Sequence, residues 1–363
     1  MPDPARPGPP PPSVRAVGRA LPPHYASQEE ILAALRAHWS RRHFNPARLD
    51  DIHRAVQVGG RHLALPLSEY EALDTFRKAN DAWIRVAGEL GAEAVQRALD
   101  RAGLVPADVD AFFFVTVTGL STPSLDARLV NRLGMRRDVK RVPIFGLGCV
   151  AGAAGLARLS DALLAMPGGV GVLLSVELCS LTLQRNDLSV ANAVASGIFG
   201  DGAAAVVLAG GARPGTAEAG PRILATRSSF YPDTEWVMGW DVVDTGFQVV
   251  LSAKVPEIAR AHIARDVDAF LADQGLGRRD VRHWIAHTGG PKVLEAFEGA
   301  LELPKGALDL SWKSLAAVGN LSSASVLFVL ADLLESGRAR PGDRGLLVAM
   351  GPGFCAELVL LEW

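Results

Sequence analysis

The sequence runs to 363 residues, 49% apolar and 21% charged, with a formal net charge of −2. A chain of this size buries one large core or two fused smaller ones, and the lack of a basic excess excludes a nucleic-acid polymer as partner and points to a metabolite. Cys149, Cys179 and Cys355 are odd in number and widely spaced, so they form neither a disulfide framework nor a paired metal motif and fit a reducing cytoplasm.

In chain order, the proline-rich opening lacks an apolar signal core, and residues 1–22 read as a proline-stiffened, disordered tail. The apolar spacing predicts a helix over Tyr70 to Arg101, a buried strand over Ala111 to Val117 and a helix over Leu125 to Leu133. Then come a strand over Val142 to Phe145, a helix over Val150 to Leu164, a strand over Val170 to Val176, a helix over Leu188 to Ile198 and a strand over Ala203 to Leu208. Strands alternating with helices imply parallel sheet covered on both faces. No apolar run stays uninterrupted long enough to span a bilayer.

The second half repeats the first. With Gly148-Cys149-Val150 laid on Gly319-Asn320-Leu321, Asp161 falls on Asp332, Leu159 on Leu330 and Leu163 on Leu334. Upstream, Phe113 to Gly119 matches Trp284 to Gly290, and downstream Gly202 with its strand matches Gly353 and Ala356 to Leu361. The same order of elements in both halves implies a duplicated unit packed about a pseudo-twofold axis, with residues 23–220 and 221–363 as the halves. Cys149 and Asn320 would then meet at related helix starts.

Cys149 follows a strand and opens a helix of small residues, Val150-Ala151-Gly152-Ala153-Ala154-Gly155. Unpaired N–H groups and the helix dipole there would lower the thiol pKa and favour the thiolate; the opposing reading is a buried structural cysteine. Cys179 and Cys355 lack such a setting and read as core. Gly146-x-Gly148-x-x-Ala151, with Glu177 as a ribose ligand, also fits a dinucleotide fingerprint and hence an NAD-binding oxidoreductase, but Cys149 stands where the pyrophosphate would lie.

His287 ends a short strand and is followed by Gly289, Gly290 and Pro291, where a ligand could reach it; His283 reads as surface. Asn320 could merely cap its helix. A Cys, a His and an Asn from separate turns suit a cysteine protease, in which Asn orients His, or a condensing enzyme, in which His and Asn donate to a thioester oxygen that becomes an enolate. The protease lacks its local signature and any reason for the duplication.

Several stretches carry a family resemblance: Thr116-Val117-Thr118-Gly119-Leu120-Ser121-Thr122-Pro123-Ser124-Leu125-Asp126, Gly146-Leu147-Gly148-Cys149, Phe199-Gly200-Asp201-Gly202, His287-Thr288-Gly289-Gly290-Pro291, Gly319-Asn320-Leu321-Ser322-Ser323 and Gly351-Pro352-Gly353-Phe354. From about Leu49 to the C-terminus the chain resembles the bacterial type III polyketide synthases, relatives of chalcone synthase. The resemblance implies an α/β, thiolase-like duplicated αβαβα fold with pseudo-twofold symmetry. It also implies a homodimer that takes acyl-CoA and malonyl-CoA directly, needs no metal or further cofactor, and does not insert into membranes.

It further implies that Cys149 loads the starter and that His287 and Asn320 hold the enolate left when malonyl-CoA loses CO2. Iterative condensation and closure to a pyrone, resorcinol or related aromatic product follow. Phe199 and Phe247 match gatekeeping phenylalanines between the CoA tunnel and the cavity. Thr118, Thr182, Ser322 and the Gly351-Pro352-Gly353-Phe354 loop match cavity positions, and Thr122 the residue that reaches into the partner subunit, where chalcone synthase has methionine. For the CoA phosphates, Arg54 matches a family cation, Val58 replaces a lysine, and Arg61 and Lys292 beside Gly289 and Gly290 are the substitutes. A ketoacyl synthase III, which condenses once on a carrier protein, and a non-enzymatic module of the same fold are the alternatives.

Overall fold

The structure, a computed structural model, describes residues 9–39, 45–214 and 220–363. The first half comprises β1 (Ser13–Ala20), β2 (His24–Ser27), α1 (Gln28–Trp39), α2 (Pro46–Ala55), β3 (Gly60–Leu63), α3 (Phe76–Ala102), β4 (Ala111–Thr116), α4 (Leu125–Leu133), β5 (Lys140–Phe145), α5 (Ala151–Leu164), β6 (Val170–Leu178), α6 (Val190–Ile198) and β7 (Asp201–Ala209). The second comprises β8 (Arg222–Phe230), β9 (Met238–Val243), β10 (Gly246–Leu251), α7 (Val255–Asp273), β11 (His283–Ala286), α8 (Pro291–Ala300), α9 (Asp309–Val318), α10 (Ser325–Ser336), β12 (Arg344–Gly351) and β13 (Cys355–Glu362).

The main sheet has the order β11-β12-β13-β8-β1-β7-β6-β4-β5. In the first half β4 runs parallel to β5 and β6, while β6–β7 and β7–β1 are antiparallel. The second half repeats this without a counterpart of β5: β11 is parallel to β12, and β12–β13 and β13–β8 are antiparallel. The sheet is therefore mixed rather than parallel, because each repeat ends in an antiparallel return. Within the main sheet the described residues of the two halves pair where Ser13 of β1 meets Arg222 of β8.

Residues alternate along each strand between two cores, as the period of a strand requires. On β7, Ala204, Val206 and Leu208 face the central helices α5 and α10, while Ala203, Ala205 and Val207 face α3. On β13, Val359 and Leu361 face the same central helices, and Ala356, Leu358 and Leu360 face α7 and α8. The result is five layers, αβαβα, with α5 and α10 as the shared middle. This is the thiolase-like arrangement, with the Cys149 and Asn320 turns opening the two middle helices.

Two boundaries differ from the sequence reading. Residues 1–8 of the expected tail lie outside the described residues, but Ser13–Ala20 forms β1 in the centre of the sheet, so the tail does not extend to 22. The helix expected from Tyr70 begins at Phe76, where the Thr75 hydroxyl accepts from Lys78 N–H and caps it. Before it, Leu67–Ala72 makes a tighter 3₁₀ turn.

Candidate active site

Cys149 lies in the 3₁₀ turn Gly148–Val150 that leads into α5. Gly148 has φ 56°, and a Cβ there would stand 2.7 Å from Pro352. Only glycine adopts that backbone freely and leaves room for the proline. One turn on, a Cβ at Gly152 would run into the Ser323 carbonyl, so the absence of a side chain lets the starts of α5 and α10 touch. The Cys149 sulfur consequently lies 3.7 Å from the Ser322 hydroxyl.

Asn320 is fixed by its neighbours. Its side-chain Oδ1 accepts from Ser322 N–H at 2.8 Å and from Ser325 Oγ at 3.3 Å, so the carboxamide NH2 is left as the outward donor. It is within hydrogen-bonding reach of the Cys149 thiol, whose pKa it lowers. Ser322 itself sits at φ 48°, a strained value for a residue with a side chain. The Asn320 N–H donates to Ile198 O at 2.8 Å, and Gly290 packs on the Ile198 side chain. The His287–Gly290 turn and the Asn320 turn thus abut the same residue. His287 is buried with Nδ1 unpartnered in the protein.

The electrostatics revise one expectation. Burial pushes the Cys149 thiol up to about 12; hydrogen bonds from Ser322, the backbone and Asn320 oppose this, and the Glu177 carboxylate adds to it. Burial also holds His287 down at about 4. Cys149 is therefore held as a thiol rather than a ready thiolate and His287 as a neutral imidazole, because loss of solvent outweighs the helix start. A neutral imidazole can accept a proton.

Phe199 forms a parallel β-bridge with Asn320 and lines a cavity of about 990 Å³ together with Thr182, Cys179, Trp240 and Arg61. Its ring faces Trp240 at 6.1 Å between centroids. Phe247 does not join it: it is buried against Phe76, at 5.3 Å, and Phe145, at 6.1 Å. Thr118 is spent inside, accepting from Trp83 Nε1 and donating to Glu177 at 2.8 Å. Thr122 is exposed. Pro352 abuts Gly148, Gly351 abuts Val150, and Phe354 is buried beside Tyr231 at 6.1 Å, so this loop braces the cysteine turn.

Of the expected phosphate cations, Arg54 and Lys292 are exposed, Arg54 beside Asp51 at 3.2 Å. Arg61 is 2% exposed, and its guanidinium donates to Gln28 Oε1 and to the carbonyls of Ser196 and Gly197 at the end of α6. It is an interior cation and not a residue of a tunnel mouth. Gly289 lies against the His287 ring and Gly290 starts α8 with φ 121°. His283, expected at the surface, is partly buried and pairs with Asp343 at 3.0 Å.

Sequence reading missed Trp240, which no motif marks, and the part played by Glu177. Glu177 is fully buried; it accepts from Thr118, Ser323, Thr116 and Val117 N–H, and burial raises it to about 7. Sealed in this way it cannot hold a ribose. A carboxylate closing an otherwise apolar strand was the available signal. Cys179 is buried as expected but stands in the cavity wall. Among the described residues no group of His, Cys, Asp or Glu is placed to hold a metal ion, and no helix is long and apolar enough to cross a membrane.

Comparison with known proteins settles the family. The chalcone and stilbene synthase N-terminal domain matches residues 10–214 and the C-terminal domain matches residues 222–362. The chain belongs to the chalcone and stilbene synthase family. It is 54% identical over 351 residues to the 1,3,6,8-tetrahydroxynaphthalene synthase of Streptomyces peucetius subsp. caesius, covering 97% of this chain and 93% of the relative. It is 35% identical over 358 residues to a putative chalcone synthase of Bacillus subtilis, covering 96% and 98%. The crystal structure of tetrahydroxynaphthalene synthase from Streptomyces coelicolor A3(2), a bacterial type III polyketide synthase, superposes with a TM-score of 0.91 at 32% identity, covering 97% of this chain and 99% of that one. This chain is accordingly a type III polyketide synthase, an acyltransferase that lengthens an acyl-CoA starter by decarboxylative condensation with malonyl-CoA and closes the product to an aromatic ring. The dinucleotide reading and the single-condensation reading fall with that membership.

Proposed function

We propose that this synthase makes a polyhydroxylated fused aromatic of the tetrahydroxynaphthalene class, with Cys149, His287 and Asn320 as its catalytic residues. The observation that carries the residue roles is the locked carboxamide of Asn320, which presents N–H groups beside the buried sulfur. His287 takes the Cys149 proton as the sulfur attacks the starter thioester; an acyl-Cys149 forms and CoA leaves as its thiol. Malonyl-CoA then loses CO2, and the enolate oxygen is held by donors from His287 Nε2 and Asn320. The enolate carbon attacks acyl-Cys149, the chain passes to CoA, and reloading repeats the cycle.

The bulky Phe199–Trp240 pair beside Asn320 would limit the chain length that fits before cyclisation. Arg54 and Lys292, both exposed, are the proposed cations for CoA phosphates, with the Gly289-Gly290 turn leaving the pantetheine arm room to approach. CoA thioesters are the substrates, with no further cofactor. The exposed edge of β5, with Phe145 48% exposed, and the exposed Thr122 favour a homodimer in which Thr122 meets the partner's cavity. Three free cysteines fit a reducing cytoplasm. The test is incubation of the purified protein with labelled malonyl-CoA alone and with a panel of acyl-CoAs, with products identified by mass and Cys149 examined for acyl adducts. Adducts on Cys179 or Cys355 instead, or a single condensation only, would overturn the assignment.

A further inference from the structure

Helix α6 ends without the N–H groups that its last carbonyls need. Ala195 O is met by Phe199 N–H at 3.0 Å, but Ser196, Gly197 and Ile198 have no following helical turn. Their partners come from elsewhere in the chain. The Arg61 guanidinium, from β3, donates through Nη2 to Ser196 O and through Nη1 to Gly197 O at 2.5 Å, and Gln28 Nε2 adds a bond to Gly197 O at 3.0 Å. The third carbonyl, Ile198 O, receives the backbone N–H of Asn320 at 2.8 Å. One helix end is therefore shared between a buried cation and the residue proposed to hold the enolate.

The link to Asn320 is stiff. Gly200 N–H donates back to Asn320 O at 3.0 Å, so both backbone groups of Asn320 are held by residues 198–200. The packing leaves little slack: a Cβ on Gly319 would stand 2.6 Å from Ile198 O, and one on Gly200 would stand 2.4 Å from Val318 O and 3.3 Å from Arg61 Cβ. Phe199, between the two bonds, is carried by the same segment. Arg61 has the charge and shape to anchor it. Its positive charge complements the negative end of the α6 dipole, and its fork of donors reaches two successive carbonyls at once. Asp201, the residue after the segment, balances the buried charge and is itself fixed by Ser180 N–H at 2.8 Å and Ala64 N–H at 2.6 Å. Residues 198–200 are thus held at both ends.

We infer that Arg61 is a positioning residue for the decarboxylation step: it fixes the end of α6, and the backbone clamp of residues 198–200 on Asn320 passes that placement to the carboxamide. Arg61 touches no reacting atom in this role. The role rests on the reading of Asn320 as an enolate donor and adds the group that holds it in register. Cys149 is carried by the turn before α5 and not by the clamped segment. Starter loading therefore depends on Arg61 far less than enolate formation does.

The test measures two steps separately in Arg61→Gln and Arg61→Lys: steady-state CO2 release from malonyl-CoA, and single-turnover acylation of Cys149 by a starter acyl-CoA, followed by mass. Arg61→Gln should lower kcat for CO2 release at least about tenfold, with KM for malonyl-CoA within about twofold and the acylation rate within about threefold of the parent. Arg61→Lys should lie between Arg61→Gln and the parent, because it keeps the cation at the helix end without the fork. A role in stability alone would lower both steps by one factor. That result, or an unchanged kcat in a folded Arg61→Gln protein, overturns the positioning role. Should Arg61→Gln fail to fold, Gln28→Ala decides, since it removes the side chain that accepts from Arg61 Nη1 and donates to Gly197 O. A fall of at least about threefold in CO2 release alone supports the role, and no fall, or an equal fall in acylation, ends it. Failure of the condensing reading itself would appear in the parent protein, as absent CO2 release or no adduct on Cys149.

Discussion

Gly152→Ala tests whether the contact between the two middle helices sets the active-site geometry. The new Cβ would fall on the Ser323 carbonyl and lie 3.1 Å from Val326 Cγ1. A backbone carbonyl cannot rotate aside, so the turn that carries Asn320 and Ser322 must move. Alanine gains about 1 kcal/mol over glycine inside a helix, whereas overpacking of this kind costs about 1–3 kcal/mol. The net loss of stability is therefore small, at most about 2 kcal/mol. A displacement on the order of 1 Å at Asn320 and Ser322, by contrast, costs about 100-fold in rate. Gly155→Ala is the control, because its Cβ would meet the tip of Leu173, 2.6 Å away, which can rotate and which lies outside the site. Steady-state CO2 release from malonyl-CoA, with thermal unfolding measured in parallel, separates the two effects. Gly152→Ala should lose most of its kcat with little loss of melting temperature, and Gly155→Ala should do neither strongly. If Gly152→Ala turns over within about threefold of the parent, the helix contact does not position the catalytic groups.

Cys149→Ala should abolish acyl-enzyme and product while far-UV circular dichroism stays native, because the thiol's polar contacts, with Ser322 and Asn320, are weak; full turnover would end the covalent mechanism. With His287 held near 4, its neutral form persists to well below neutral pH, so protonation removes the acceptor only as pH falls towards 4. The acid limb of kcat/KM should accordingly lie below about pH 5.5, and an inflection at the ordinary histidine value of about 6.5 would contradict the desolvated ring. Trp240→Ala should admit longer starters and shift product masses upward, since the indole stands against Phe199 in the cavity wall; an unchanged product profile would remove Trp240 as a limit on chain length.

What could be read from the sequence was local. The glycine turn before a helix announces itself at both Gly148-Cys149 and Gly319-Asn320, and the bounds of α4 follow from apolar spacing and a glycine cap at Gly134. The repeat then places the two turns together without any contact being known. Strand β1 was hidden because its flanking prolines read as tail, while its partners Ala203 to Ala209 lie far along the chain. Arg61 looked like a surface cation because the carbonyls that hold it belong to Ser196 and Gly197, more than a hundred residues away.

The Cys149 thiol shows why location was legible when protonation was not. Its place at a helix start is a property of a few neighbouring residues, and the dipole there acts over the first turn and is worth on the order of 1 kcal/mol. Its burial depends on tertiary packing such as the Pro352 contact with Gly148, and the Glu177 carboxylate, brought in the same way, raises the thiol further. Burial can move a pKa by about 3 units, on the order of 4 kcal/mol, so the long-range effect wins over the local one. The proton must then leave with help at the moment of attack. His287, lowered by burial in the same way and therefore neutral, is the acceptor proposed above for that proton.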